Sequence, residues 1–91
     1  MITVNSIISK NEEILNTQID NEYVLMSIEK SSYYGIDSIG SRIWQLLDNE
    51  ISVKEICVKL TAEYEIDFDT CTNDVIKFLD ELKNENIIKI K

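Results

Sequence analysis

The first third of the chain alternates β-branched or aromatic residues with polar ones, a pattern typical of β-strands. Two such runs, Ile14 to Ile19 and Tyr23 to Ile28, are separated by a turn-like segment from Asp20 to Glu22. A second polar turn, Glu29 to Ser32, precedes a third short run from Tyr33 to Ile36. The three runs predict an antiparallel, three-stranded meander.

The rest of the chain carries apolar residues at helical spacing in three stretches. An Asp-Ser pair beginning at Asp37 offers side-chain oxygens for a first helix start, and Ser52 with Glu55 matches the capping box of a second. A third helix is expected to begin at Asp67 or Asp69. Its predicted apolar stripe consists of Cys71, Val75, Phe78, Leu79 and Leu82.

This order of elements predicts an α+β fold, in which a three-stranded antiparallel sheet is followed by three helices, similar in outline to a winged helix-turn-helix domain. With 91 residues, the chain is expected to form a single domain over residues 1–91. Residues 1–12 predict either an extra strand or a loose arm. The closing segment, Ile87 to Lys91, predicts either a short strand or a docked tail.

Charge limits the kinds of partner. The formal net charge is −8, with 17 acidic and 9 basic residues, so the surface should repel a phosphate backbone. The third helix is net negative, with Lys77 and Lys83 against Asp74, Asp80, Glu81 and Glu85. We therefore expect no nucleic-acid partner. The sequence has no apolar run of bilayer length and no signal peptide, so a cytoplasmic protein without a membrane partner is expected.

The candidate chemistry is sparse. The chain has no histidine, the commonest general base, and only two cysteines, Cys57 and Cys71. Without histidine the cysteines complete neither a catalytic dyad nor a tetrahedral zinc site unless carboxylates contribute. We interpret them as small apolar residues on helix faces. The sequence therefore predicts a non-enzymatic protein with no metal or cofactor.

Two segments, YYGIDSIGSRIWQLLDNEISVKEICVKL and DVIKFLDELKNENII, together resemble the PqqD-like proteins. These are the recognition elements for ribosomally synthesised, post-translationally modified peptides (RiPPs). The similarity covers Tyr23 to Ile88 and includes an Ile-Trp pair at Ile43. The chain departs from the family pattern at Ile36, where Leu-Asn is replaced by Ile-Asp, and lacks a glycine after the first helix. The matching positions are Tyr34, Ile36, Asp37, Gly40, Ile43, Trp44, Val53, Ile56, Asp74, Val75, Phe78, Leu79 and Leu82.

The resemblance implies a stand-alone recognition element, of the size found in lasso-peptide pathways. Such a protein binds the leader of a precursor peptide as an added strand, in the groove between the third strand and the third helix. It delivers the precursor to a modifying enzyme or a leader peptidase. That partner is a cysteine protease in lasso pathways, with a radical SAM enzyme as the alternative.

Backbone accessibility at Gly35 and a carboxylate at Asp74, suited to a Lys, Arg or amide, support such a groove. The predicted peptide-binding residues are Tyr33, Tyr34, Gly35, Cys71, Asp74, Val75, Phe78 and Leu82. An ordinary core role is the alternative for each apolar member. Two alternatives remain for the whole protein: a docking subunit without its own peptide affinity, and a winged-helix DNA-binding regulator.

Overall fold

The computed structural model describes the whole chain, Met1–Lys91. It contains three helices and two three-stranded antiparallel sheets, with strand orders β2-β3-β4 and β5-β1-β6. In chain order the elements are β1 (Ile7–Lys10), β2 (Ile14–Ile19), β3 (Glu22–Ser27), β4 (Ser32–Gly35), α1 (Ser38–Leu46), β5 (Ile51–Ser52), α2 (Val53–Glu63), α3 (Phe68–Asn84) and β6 (Ile88–Ile90).

The predicted meander, the three helices and the α+β class are confirmed. Each helix begins where a side chain caps its free N–H groups. Asp37 accepts from the amide of Gly40 at 2.8 Å, Ser52 from that of Glu55 at 3.1 Å, and Asp67 from that of Thr70 at 2.9 Å. These caps fix the starting points of the helices that surround the candidate site.

The predicted arrangement of one sheet followed by three helices is wrong. A second sheet is built from the two ends of the chain and the α1–α2 connection, with β1 pairing with both β5 and β6. The opening segment is therefore a strand, and so is the closing one. The two-residue β5 is too short to leave a periodic signal in the sequence, and the pairing of β1 with β5 and β6 joins segments that are far apart along the chain.

The segment before β1 also completes the start of α2. The amides of Val53 and Lys54 donate to the carbonyls of Ser6 and Val4, both at 3.0 Å. The first N–H groups of a helix have no partner within the helix, so these two bonds satisfy groups that would otherwise need water or a side chain. The chain's beginning is thereby fixed against its middle.

A single apolar cluster joins both sheets and all three helices. It includes Ile8 from β1, Leu25 from β3, Trp44 from α1, Ile56 from α2 and Leu79 from α3, each at most 1% exposed. Burial of large side chains from every layer holds the meander against the helices. None of the three helices combines the length and apolarity needed to cross a membrane.

The junction between β4 and α1 is closed by the hydroxyl of Ser41. The amide of Ile36 donates to the carbonyl of Tyr23 at 3.1 Å, as in an ordinary ladder pair. The return bond is replaced, because the amide of Tyr23 donates to Ser41 Oγ at 2.9 Å and that hydroxyl donates to the carbonyl of Ile36 at 3.4 Å. The strand therefore ends at Gly35, and α1 starts three residues later.

Candidate functional site

One edge of β4 has no partner strand, because the sheet order is β2-β3-β4. Ladder bonds in an antiparallel pair involve alternate residues. Ile36 bonds to Tyr23, and Tyr34 lies opposite Leu25, so these positions direct their backbone groups toward β3. The N–H and C=O groups of Tyr33 and Gly35 consequently face the open edge.

Helix α3 runs beside this strand. Tyr34 Oη donates to Glu81 Oε2 at 3.0 Å, which joins the strand directly to the helix. Burial raises the pKa of Tyr34, and the hydrogen bond and negative charge of Glu81, with a further contribution from Glu85, raise it in the same direction. Tyr34 therefore keeps its proton and remains a donor throughout the neutral range.

A cavity of about 580 Å³ opens beyond the end of β4, between the start of α1, the α2–α3 connection and α3. Most of its lining is apolar, in keeping with ligand sites that bury hydrophobic groups. The lining residues are Asp37, Ile39, Gly40, Ile43, Leu60, Tyr64, Glu65, Ile66, Cys71, Asp74, Val75 and Phe78.

The close approach of α1 and α3 at this cavity depends on Gly40. A β-carbon at this position would lie 3.1 Å from Phe78 Cζ, 3.2 Å from Asp37 Oδ1 and 3.3 Å from Ile36 Cβ. All three distances are tighter than ordinary van der Waals contact. The absent side chain therefore lets the half-buried Phe78 ring lie against the first turn of α1.

The charged residues of the cavity are all acidic. Asp37, Glu65 and Asp74 contribute carboxylates, whereas no lysine or arginine lines it. Asp37 also borders a second, shallower depression that includes Gly35, so the acidic side of the cavity adjoins the end of the open strand. The potential at this end of β4 favours a basic or hydrogen-bond-donating group on a ligand.

The predicted site residues occupy three different places. Cys71, Asp74, Val75 and Phe78 line the cavity together. Tyr34 and Gly35 lie on β4 beside it, while Tyr33 is 72% exposed and, as the neighbour of Tyr34 in a strand, directs its side chain to the opposite face of the sheet. Leu82 is fully buried in the core and does not line the cavity.

The cavity also contains residues that sequence reasoning missed. Ile39 lies in line with the apolar stripe of α1 and Tyr64 with that of α2, yet they are 46% and 39% exposed. Ile39 lies in the first turn of α1 and Tyr64 at the end of α2. At these helix ends the apolar stripe extends past the core and borders the cavity. An apolar residue in the first or last turn of a helix, in line with a buried stripe, is the signal that identifies such positions.

Cys57 and Cys71 are buried, free thiols, as predicted for apolar helix residues. The pKa of Cys71 is raised to about 11, mainly by burial of the thiol and secondarily by the neighbouring Cys57. A thiol that keeps its proton at neutral pH is a poor nucleophile. The structure contains no group of three or more His, Cys, Asp or Glu side chains placed to hold a metal ion.

Solved structures share this architecture. The solution structure of the PqqD truncation of Methylobacterium extorquens PqqCD, described as a functional and stand-alone RiPP recognition element, is 16% identical with a TM-score of 0.83 and covers 98% of this chain and 95% of that one. A lasso peptide synthetase B1 complexed with its leader peptide is 23% identical, with a TM-score of 0.81 and coverage of 90% and 96%.

The chain belongs to the PqqD family, since the family model described as coenzyme PQQ synthesis protein D matches residues 22–88. TbiB1, solved in complex with the TbiA(beta) leader peptide, is 33% identical to it, with a TM-score of 0.84, and the match covers 89% of this chain and 94% of that one. The family resemblance noted in the sequence is therefore confirmed. Comparison with curated proteins gave no match.

Proposed function

We propose that this protein is a non-catalytic recognition element that binds the leader of a ribosomal precursor peptide as a fourth strand on the open edge of β4. The observation that carries the proposal is this free edge, with the outward backbone groups of Tyr33 and Gly35, next to an apolar cavity. Extended peptides bind exposed sheet edges through main-chain hydrogen bonds, while pockets for side chains supply specificity. The leader complex of the relative TbiB1 supports peptide binding by this fold.

Backbone pairing alone is too weak for this task. Each new hydrogen bond contributes about 0.5–1.5 kcal/mol, whereas ordering a disordered leader costs roughly 2–5 kcal/mol. Burial of one or two apolar leader side chains, at about 1.5–3 kcal/mol each, shifts the balance to binding. The cavity floor of Val75 and Cys71 and the wall of Phe78 provide the apolar surface for one such anchor.

The acidic rim suggests which leader sequences fit. Asp37, Glu65 and Asp74 surround an apolar interior, so the favoured anchor is an apolar residue with a Lys, Arg or amide group close to it in the leader. An acidic residue in the same place would be repelled by the three carboxylates. The leader chemistry we expect is therefore apolar and basic, matched to a protein of net charge −8.

The role in the pathway follows from the same features. Nucleophilic catalysis needs a deprotonated thiolate, which the raised pKa of Cys71 disfavours. No histidine is present to act as a base. The protein then acts by presenting the precursor to a leader peptidase or modifying enzyme. The relatives complexed with leader peptides favour a lasso-peptide pathway, where that enzyme is a cysteine protease, over one that uses a radical SAM enzyme.

The direct test is titration of the chain with a synthetic leader of the precursor peptide encoded with it. Phe78→Ala removes the cavity wall and should weaken binding by about tenfold or more, because an apolar contact of roughly 1.4 kcal/mol or more is lost. Phe68→Ala is the matched control, since Phe68 lies on the same helix but outside the cavity. Equal affinity of the folded Phe78 variant and wild type would exclude α3 from the site.

A docking subunit without its own peptide affinity is the competing function, favoured by the exposed apolar side chains Leu15, Ile19 and Tyr33. Isothermal titration of the isolated protein separates the two models. Peptide recognition predicts saturable heat with the leader alone, whereas the docking model predicts none until the enzyme is added.

A further inference from the structure

The meander carries an apolar surface on the side that faces away from the helices. We name it the outer face, and it consists of Leu15 and Ile19 on β2, Val24 and Met26 on β3, and Tyr33 on β4. Leu15 lies opposite Met26, which lies opposite Tyr33, so one row crosses all three strands. Their side chains point away from the core, because Ile14 and Leu25 on the opposite side of the sheet are buried. Tyr23 and Tyr34 on that same side pack against the core.

The exposure of this surface is unusual for a sheet that covers a core on one side. Leu15 is 49% exposed, Ile19 60% and Tyr33 72%. In β2, the polar residues Asn16 and Gln18 share the core side with the buried Ile14, while the apolar Leu15 and Ile19 face solvent on either side of Thr17. An antiparallel sheet with one solvated face normally shows the opposite alternation. The sequence of β2 is therefore that of a strand whose outer side becomes covered.

Charge around the outer face identifies what covers it. Residues 12–29 contain five acidic residues and no lysine or arginine: Glu12, Glu13, Asp20, Glu22 and Glu29. None of these five takes part in an ion pair, and the next basic residue, Lys30, lies 3.8 Å from the carboxylate of Glu85. Glu22 lies opposite Ile19 and so belongs to the outer face, while Glu13 and Asp20 occupy the turns at the two ends of β2. An apolar surface with these unpaired carboxylates at its border fits a partner whose apolar patch is bordered by Lys or Arg.

A second copy of this chain does not have that chemistry. It would bring the same acidic border, on a molecule of net charge −8, against the first. Like charges brought together in an interface cost free energy, which disfavours self-association through this face.

We infer that the outer face is the docking surface for the enzyme that receives the leader-bound precursor, and that this enzyme presents an apolar patch bordered by basic side chains. The identity of the partner rests on the proposed function. Tyr33 belongs both to the outer face and to β4, whose open edge lies next to it. An enzyme on the outer face is thereby placed beside a peptide held on that edge, without occupying the cavity.

The test measures binding of the purified leader-processing enzyme encoded with this chain to the leader-saturated protein. The double variant Leu15→Ser/Ile19→Ser should weaken enzyme binding on the order of tenfold or more, since central apolar contacts dominate interface affinity. Both positions are exposed and lie on β2, the strand farthest from the open edge of β4. The matched control is Val58→Ser, an equally exposed apolar residue on α2 at 52%.

Reversal of two border charges, Glu13→Lys with Glu22→Lys, should slow association and remove most of its salt dependence. Unchanged enzyme affinity in the Leu15/Ile19 variant would overturn the inference, as would a wild-type homodimer that the same variant dissociates. Leader titration of each variant separates the two proposals. If the Leu15/Ile19 variant still binds both the leader and the enzyme as wild type does, the docking role of the outer face is refuted and the proposed function stands. If the wild-type protein binds no leader, the proposed function is refuted, and the identity of the partner with it.

Discussion

Ser41 occupies the point at which β4 turns into α1, and it is the only buried polar residue of the chain, at 2% exposure. Its hydroxyl links the amide of Tyr23 to the carbonyl of Ile36, replacing a ladder bond that the chain cannot make directly. One side chain therefore joins the last pair of the meander to the first helix. The position of the cavity relative to the open edge depends on this junction.

Ser41→Ala should lower the free energy of unfolding by about 1–3 kcal/mol, because it leaves the partly buried amide of Tyr23 without a protein partner. Urea denaturation followed by circular dichroism measures the change. Ser38→Ala is the control, since Ser38 lies on the same helix and is exposed. A loss no greater than that of the control would mean that the junction does not depend on the hydroxyl.

At this scale the sequence predicts residues whose role is local. The N-caps at Asp37 and Ser52 follow from a short spacing, and of the two predicted starts of α3, Asp67 and Asp69, the structure uses Asp67. The role of Ser41 is not predictable in this way. Its partner Tyr23 is 18 residues away, and no local pattern records the contact.

Strand β4 is short and paired on one side only, so alternate backbone groups along it are free to bind a peptide. Gly35 directs its N–H to the open edge, and a β-carbon there would meet nothing within 4 Å. Substitution at this position therefore tests the backbone donor without disturbing packing.

Gly35→Pro should weaken leader binding by roughly 0.5–1.5 kcal/mol or more, since proline removes one outward donor while no ladder bond to β3 is lost. Gly35→Ala keeps the donor and should bind the leader as wild type does. Titration of both variants with the same peptide makes the comparison. If proline and alanine bind equally well, the leader does not pair with this edge.

Among the elements, the sequence predicts α1, α2, α3 and the meander because each has several periods of its own pattern. It does not predict that β1 and β6 form a second sheet, since Ile8 and Ile90 pair across the length of the chain. It correctly groups Cys71, Val75 and Phe78, which share one helix face. The contribution of Ile39 and Tyr64 to the cavity depends on how two helix ends meet in space.

For the whole molecule, net charge is the dominant electrostatic property. Four surface ion pairs are present: Lys10–Asp48, Lys30–Glu85, Arg42–Glu63 and Lys91–Glu50. Each contributes only about 0–1 kcal/mol, and together they leave most carboxylates unpaired. Repulsion among these carboxylates opposes the compact state.

Added sodium chloride should therefore raise the thermal midpoint of unfolding, because screening reduces repulsion more than it weakens the few exposed pairs. The measurement is a series of melting curves at increasing salt and constant pH. A variant that reduces the net charge, Glu12→Lys with Asp20→Lys, should respond less to salt than wild type. A midpoint that falls with salt would show that the ion pairs outweigh the repulsion.

Trp44 is the chain's one tryptophan, and at 1% exposure its indole lies wholly within the core. It lines neither the cavity nor the open edge of β4. Its fluorescence is therefore a single-site optical signal that shifts to longer wavelength on unfolding, with little direct contribution from an occupied cavity. The emission wavelength of Trp44 therefore reports whether each variant at the peptide or enzyme surface is folded. A lost interaction can be distinguished from a lost structure on the same sample.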